Sequence, residues 1–92
     1  MKIVVRAKAA DDLVAIYAWI AKADVSAAQK VVWRIRESID NLTVPGLAHI
    51  GRPGRGFGTR ELIVSPYIIV YEVQEHLKEI VVLAIFHGAQ NR

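Results

Sequence analysis

Part-way along the chain the spacing of apolar residues changes from a helical to a β period, and that change constrains the fold more than any other feature. Leu13, Ile16, Tyr17 and Ile20 fall at i, i+3, i+4 and i+7, which is one face of a helix. Ala28, Val31, Val32, Ile35, Ile39 and Leu42 make a second stripe of the same kind. From position 59 onward the pattern is β-rich, in runs at 59–64, 67–74 and 79–86. Ser65-Pro66 separates the first two runs and residues 75–78 the last two, both at hairpin spacing. A short β-branched run, Ile3, Val4 and Val5, precedes the helices. The predicted class is α+β: an N-terminal strand, an antiparallel helical hairpin, then a three-stranded antiparallel meander, forming one sheet.

Local signals fill in the ends of these elements. Asp11 and Asp12 are expected at the N-terminus of the first helix, where negative charge is favoured. Ser26-Ala27-Ala28-Gln29 has the form of a capping box, and Pro45-Gly46 is expected to end the second helix. The connection at 22–25 is short enough for an antiparallel hairpin. The first strand must join the meander at an edge or between neighbours. The last two runs are nearly continuous in apolar residues, so the sheet is expected to be covered on both faces, or on one face plus a partner.

At 92 residues a second core would leave each half too small, so residues 1–92 are read as a single domain. Hydrophobic residues at 53% and charged residues at 23% are the mix of a folded chain. There is no cysteine, which excludes disulfides, thiolate zinc sites, iron–sulfur clusters and a cysteine nucleophile. The longest apolar run, 80–86, is far short of the roughly 20 residues of a spanning helix. The N-terminus has no signal-peptide apolar region before charge returns at Arg6, so it is read as an uncleaved strand. No membrane partner and a cytoplasmic location are expected. The net charge of +3 permits contact with a polyanion without requiring it. Its distribution is more telling: the segment 46–60 holds Arg52, Arg55 and Arg60 and no acid.

That segment, with five of the six glycines, contains GRPGRGFG. It neither follows a strand to open a helix nor carries a Gly-Lys-Ser/Thr, so it fits no nucleotide-binding fingerprint. Its glycines permit turns, and its arginines suit phosphate or an acidic peptide. His49, His76 and His87 are too scattered for a metal set, and no cofactor is implied. His87 stands at a strand end, where side chains project from a rigid scaffold. A histidine hydrogen-bonded at a sheet end accounts for it without catalysis. Tyr67 and Tyr71 share a strand face and suit the core, whereas Trp19 lies at or off the edge of its helical stripe, a modest sign of an interface.

Taken in order, several pieces resemble one family. They are Asp11-Asp12-Leu13, Leu42-Thr43-Val44-Pro45, Gly51-Arg52-Pro53, Thr59-Arg60-Glu61-Leu62, the strand from Tyr67 to Val73, and Ile85-Phe86-His87-Gly88-Ala89. Together with the element order they resemble the RelE/ParE superfamily, toxins of bacterial type II toxin–antitoxin systems, over essentially the whole chain. The resemblance implies growth inhibition, plasmid stabilisation, and a cognate antitoxin that binds directly in a hetero-oligomer.

The superfamily spans two mechanisms. RelE-like members cleave mRNA on the ribosome, which needs a base or its electrostatic substitute, a cation cluster at the phosphate and a leaving-group acid. ParE-like members inhibit DNA gyrase without an established active site. Here Glu61-Leu62-Ile63-Val64 follows Arg60 with no basic residue, and the chain after His87 carries neither Tyr nor an adjacent Arg. The chain thus resembles ParE-like more than RelE-like members, with gyrase as the implied target. Arg52, Arg55, Arg60, Trp19 and His87 are the candidate contacts to target or antitoxin. His87 with Arg60 is the reduced catalytic pair that the nuclease alternative, with ribosome and mRNA as partners, would use. A non-toxic binding partner is the remaining alternative, and whether the chain is an enzyme stays open.

Overall fold

The computed structural model describes residues 1–89. The chain runs β1 (Lys2–Val5), α1 (Ala7–Ala21), α2 (Val25–Asn41), β2 (Arg52–Pro53), β3 (Arg60–Val64), β4 (Tyr67–Gln74), a 3₁₀ turn (Glu75–Leu77) and β5 (Glu79–His87). The five strands form one sheet in the order β1-β5-β4-β3-β2. The meander β3-β4-β5 is antiparallel, as its hairpin spacings predict. β1 takes the edge position, parallel to β5. The two-residue β2 is an addition that glycine-rich sequence concealed: Arg52 and Pro53 pair with Glu61 and Arg60.

Both helix starts differ from their sequence signals. α1 begins at Ala7, a turn before Asp11 and Asp12. Arg6 is still tied to the sheet through its amide to the Val82 carbonyl (2.9 Å), and the alanine-rich stretch after it winds at once. Asp12 is instead turned onto the sheet, where Oδ2 accepts the Ile85 amide at 2.9 Å and Lys8 binds Oδ1. α2 is capped by Asp24, whose extended backbone lets Oδ1 accept the Ala27 amide at 3.0 Å, so Ser26 lies inside the helix. α2 ends at Asn41, before Pro45-Gly46, and Gly46 then supplies the positive φ of the following turn (+88°).

The helical stripes pack on one face of the sheet. Ala9, Ile35 and Ile39 meet Tyr67, Ile69, Val82 and Ile85, with Leu13, Ile16, Ile20 and Val31 around them. A second cluster joins Leu42, Tyr71 and Ile80. Same-face residues of a strand recur every second position, so Val82 and Ile85 can share a face only through an irregularity. The β4–β5 register supplies it: Val70 pairs Ala84, Tyr71 pairs Val82, and Leu83 is looped out. Alternation carries Ile63, Val70 and Phe86 to the opposite face, which neither helix covers, so of the two expected arrangements, cover on both faces or on one face plus a partner, the helices supply cover on one face.

Candidate functional site

The arginines of the 46–60 segment are built into the fold more than the sequence suggests. Arg52 donates from Nε and Nη2 to one oxygen of Glu61, at 3.1 and 3.0 Å, and Glu61 is only 3% exposed. Arg60 donates from Nη1 to the carbonyls of His49 (3.0 Å) and Gly51 (2.8 Å), clamping the incoming loop to β3. Arg55 lies on the exposed tip between β2 and β3, next to Phe57, whose ring is fully exposed. Two of the three arginines thus hold the loop, and their charge-assisted bonds fix where the tip stands.

His87 and Trp19 come together at the other end of the sheet. The end of β5 meets one face of α1, from Lys8 to Trp19, in a cleft of about 410 Å³ lined by Lys8, Asp12, Trp19, Tyr67, Phe86 and His87. Trp19 is 72% exposed, with the Lys22 ammonium 5.1 Å from the ring centroid. The His87 ring stands edge-on to Tyr67 at 5.5 Å, and its Nδ1 accepts the Ala89 amide at 3.1 Å. An accepting Nδ1 places the proton of the neutral imidazole on Nε2. Arg60 is remote from this cleft. It stands opposite Tyr71 and His87 opposite Tyr67, on the two flanks of β4, so roughly 14 Å of strand at about 3.4 Å per residue divides them. The structure does not assemble the reduced catalytic pair.

On the other side of α1 lies a larger groove, about 560 Å³, bounded by β1 and both helices. Ile3 and Val5 form its wall on the sheet, Leu13, Val14 and Tyr17 line it from α1, and Val32, Arg36 and Asp40 close it from α2. Val5 and Val14 are exposed although apolar. Sequence reasoning missed this groove and the roles of Asp12 and Tyr71. The available signal was Val14, an apolar residue one step off the α1 stripe on the side away from Trp19. Among the described residues no three metal-ligating side chains converge, and no helix is long and apolar enough to cross a membrane.

Comparison with known proteins agrees on what this arrangement is. Residues 3–92 match the family model described as ParE toxin of type II toxin-antitoxin system, parDE. Of curated proteins, "Putative toxin Y4kP" of Sinorhizobium fredii is 39% identical over 77 residues, 82% of this chain and 75% of that protein. Of solved structures, the chromosomal ParDE toxin–antitoxin system from P. aeruginosa contains a chain 31% identical, with 95% of each chain covered and a TM-score of 0.81. A chain of the RelBE2 toxin–antitoxin complex from Mycobacterium tuberculosis shares the fold at 19% identity and a TM-score of 0.67, over 94% of this chain and 95% of that one. The protein described here belongs to the ParE toxin family of type II toxin–antitoxin systems.

Proposed function

We propose that this toxin arrests growth by binding DNA gyrase rather than by cutting RNA, and that a cognate antitoxin bound in the β1–α1–α2 groove neutralises it in the cytoplasm. The observation that carries the first half is the distance between Arg60 and His87. Cleavage through a 2′-hydroxyl needs base, acid and phosphate-binding cation within hydrogen-bond reach of one substrate. Arg60 instead directs hydrogen bonds to the carbonyls of His49 and Gly51, and among the described residues the lysine or arginine in the wall of the His87 cleft is Lys8. An exposed indole beside Lys8, Lys22 and His87 suits a contact surface: large, amphipathic and rigid. The toxin's action is assigned to that cleft, together with Arg55 on the exposed loop tip, and its neutralisation to the groove across α1.

Purified gyrase tests this. The chain is expected to inhibit supercoiling and to raise the yield of linear, gyrase-cleaved plasmid, with both effects abolished by premixed antitoxin. Gyrase unaffected at toxin concentrations that saturate the antitoxin, together with mRNA cut on purified ribosomes, would establish the nuclease alternative instead.

A further inference from the structure

We propose that the tip of the β2–β3 loop is a ready-made anchor for the toxin's target: Phe57 enters an apolar pocket on gyrase, and Arg55 meets carboxylates at that pocket's rim. This anchor presupposes the gyrase reading above and specifies the residue and the surface chemistry through which binding occurs.

The tip is held in place by bonds that make no use of Phe57. The Gly54 amide donates to the Thr59 carbonyl at 2.8 Å, and the Thr59 amide and hydroxyl both donate to the Gly56 carbonyl, at 3.0 and 2.7 Å. Gly58, at a φ of +76°, turns the chain back toward β3. Below the tip, the Arg52–Glu61 pair and the two carbonyl bonds of Arg60 brace the stem. The phenyl ring of Phe57 is 106% exposed and stands wholly in water. A polar residue would sit in the same turn and be better solvated there, so the fold does not account for a phenyl group at this place. A binding surface does account for it. An aromatic side chain on a fixed backbone has only two rotatable bonds to order, so it offers large contact area at low entropic cost.

The surroundings of the ring describe its pocket. Arg55 precedes Phe57 by two residues, and residues 46–60 include no acid. Arg60 bonds to neutral carbonyls and keeps its positive charge, whereas the charge of Arg52 is offset by Glu61. The complementary surface is therefore an apolar recess with carboxylates at its rim. Strand order assigns the tip to the target rather than to the antitoxin. β2 and β1 are opposite edges of the sheet, four strand spacings or roughly 19 Å apart, and the groove given to the antitoxin lies beside β1. A second copy of this chain is disfavoured, because two such tips meeting would oppose their arginines.

Binding of the full chain to purified gyrase, measured without DNA, tests the anchor. Phe57→Ala is expected to melt like the wild type, to bind gyrase at least about thirtyfold more weakly and to lose inhibition of supercoiling in step. Phe57→Trp, which keeps a flat apolar anchor, is expected to stay within about threefold of the wild type. Arg55→Glu should slow association about tenfold, a difference that shrinks with added salt. Affinity for the antitoxin encoded beside this chain should be the same in all three. A lowered Tm in Phe57→Ala, or weakened antitoxin binding, overturns the inference, because the ring would then serve the fold or the antitoxin. A loss that emerges only with DNA present also overturns it, since the ring would then meet DNA. If Phe57→Ala binds and inhibits gyrase as the wild type does, the anchor fails and the proposed function stands. If the wild type does not bind gyrase at all, both fall.

Discussion

The Gly51 amide donates to the Tyr71 hydroxyl at 2.9 Å, and this bond pins the arginine-bearing segment to the middle of the sheet. Tyr71 is fully buried, and a Cβ on Gly51 would stand 2.8 Å from its ring and its oxygen. Gly51→Ala is therefore expected to dislodge the loop. Tyr71→Phe is the gentler probe: it leaves a buried donor without its partner, at a cost of roughly 1–3 kcal/mol. Calorimetry should show a lowered Tm, and an unchanged Tm would mean the loop is not anchored there.

Ile35 is fully buried between α2 and the sheet. Ile35→Ala should cost about 2–5 kcal/mol, a large part of what a domain this size has. Urea denaturation checks this, and a midpoint like the wild type would refute the register assigned to α2.

The Arg52–Glu61 pair lends itself to a double-mutant cycle. Arg52→Leu withdraws a partner from a nearly buried carboxylate and should destabilise by roughly 1–3 kcal/mol. Adding Glu61→Leu should recover much of that loss, because the stranded charge goes with it. Strictly additive effects would show that the two side chains are not coupled.

The helical hairpin and the meander were legible because their signals are local: stripes at three and four residues, and turns at hairpin spacing. What the sequence hid depends on contacts between distant positions. The Asp12 carboxylate finds the Ile85 amide across 73 residues of chain, which no helix-start pattern could announce. The looped-out Leu83 reverses the alternation of β5, and apolar residues on both of its faces, Val82 and Ile85 on one and Val81 and Phe86 on the other, hide that reversal in the sequence. The candidate site was legible only in part. The exposure of Trp19 and His87 was legible, from a position off the α1 stripe and from a strand end. Arg52 and Arg60 looked like free cations because Glu61 and the carbonyls of His49 and Gly51 meet them only in the folded state.

Toxicity at matched expression should separate His87 and Trp19 from a proton-transfer machine. Both side chains are exposed, and His87 meets the core only through its edge contact with Tyr67, so Trp19→Ala and His87→Ala should melt within about 1.5 kcal/mol of the wild type. Each is expected to weaken growth arrest in proportion to one lost contact. Loss of a general acid or base would instead slow chemistry about 10²–10⁴-fold, and His87→Ala alone would silence the protein with its fold intact.

Arrested cells give the most direct test of binding against cleavage. Shortly after induction, chromosomal DNA integrity and the 5′ ends of cellular mRNA can be read from the same culture. Action on gyrase predicts double-strand breaks and an SOS response, with mRNA ends indistinguishable from those of uninduced cells. New mRNA ends within codons, with intact chromosomes and no SOS response, would contradict the account.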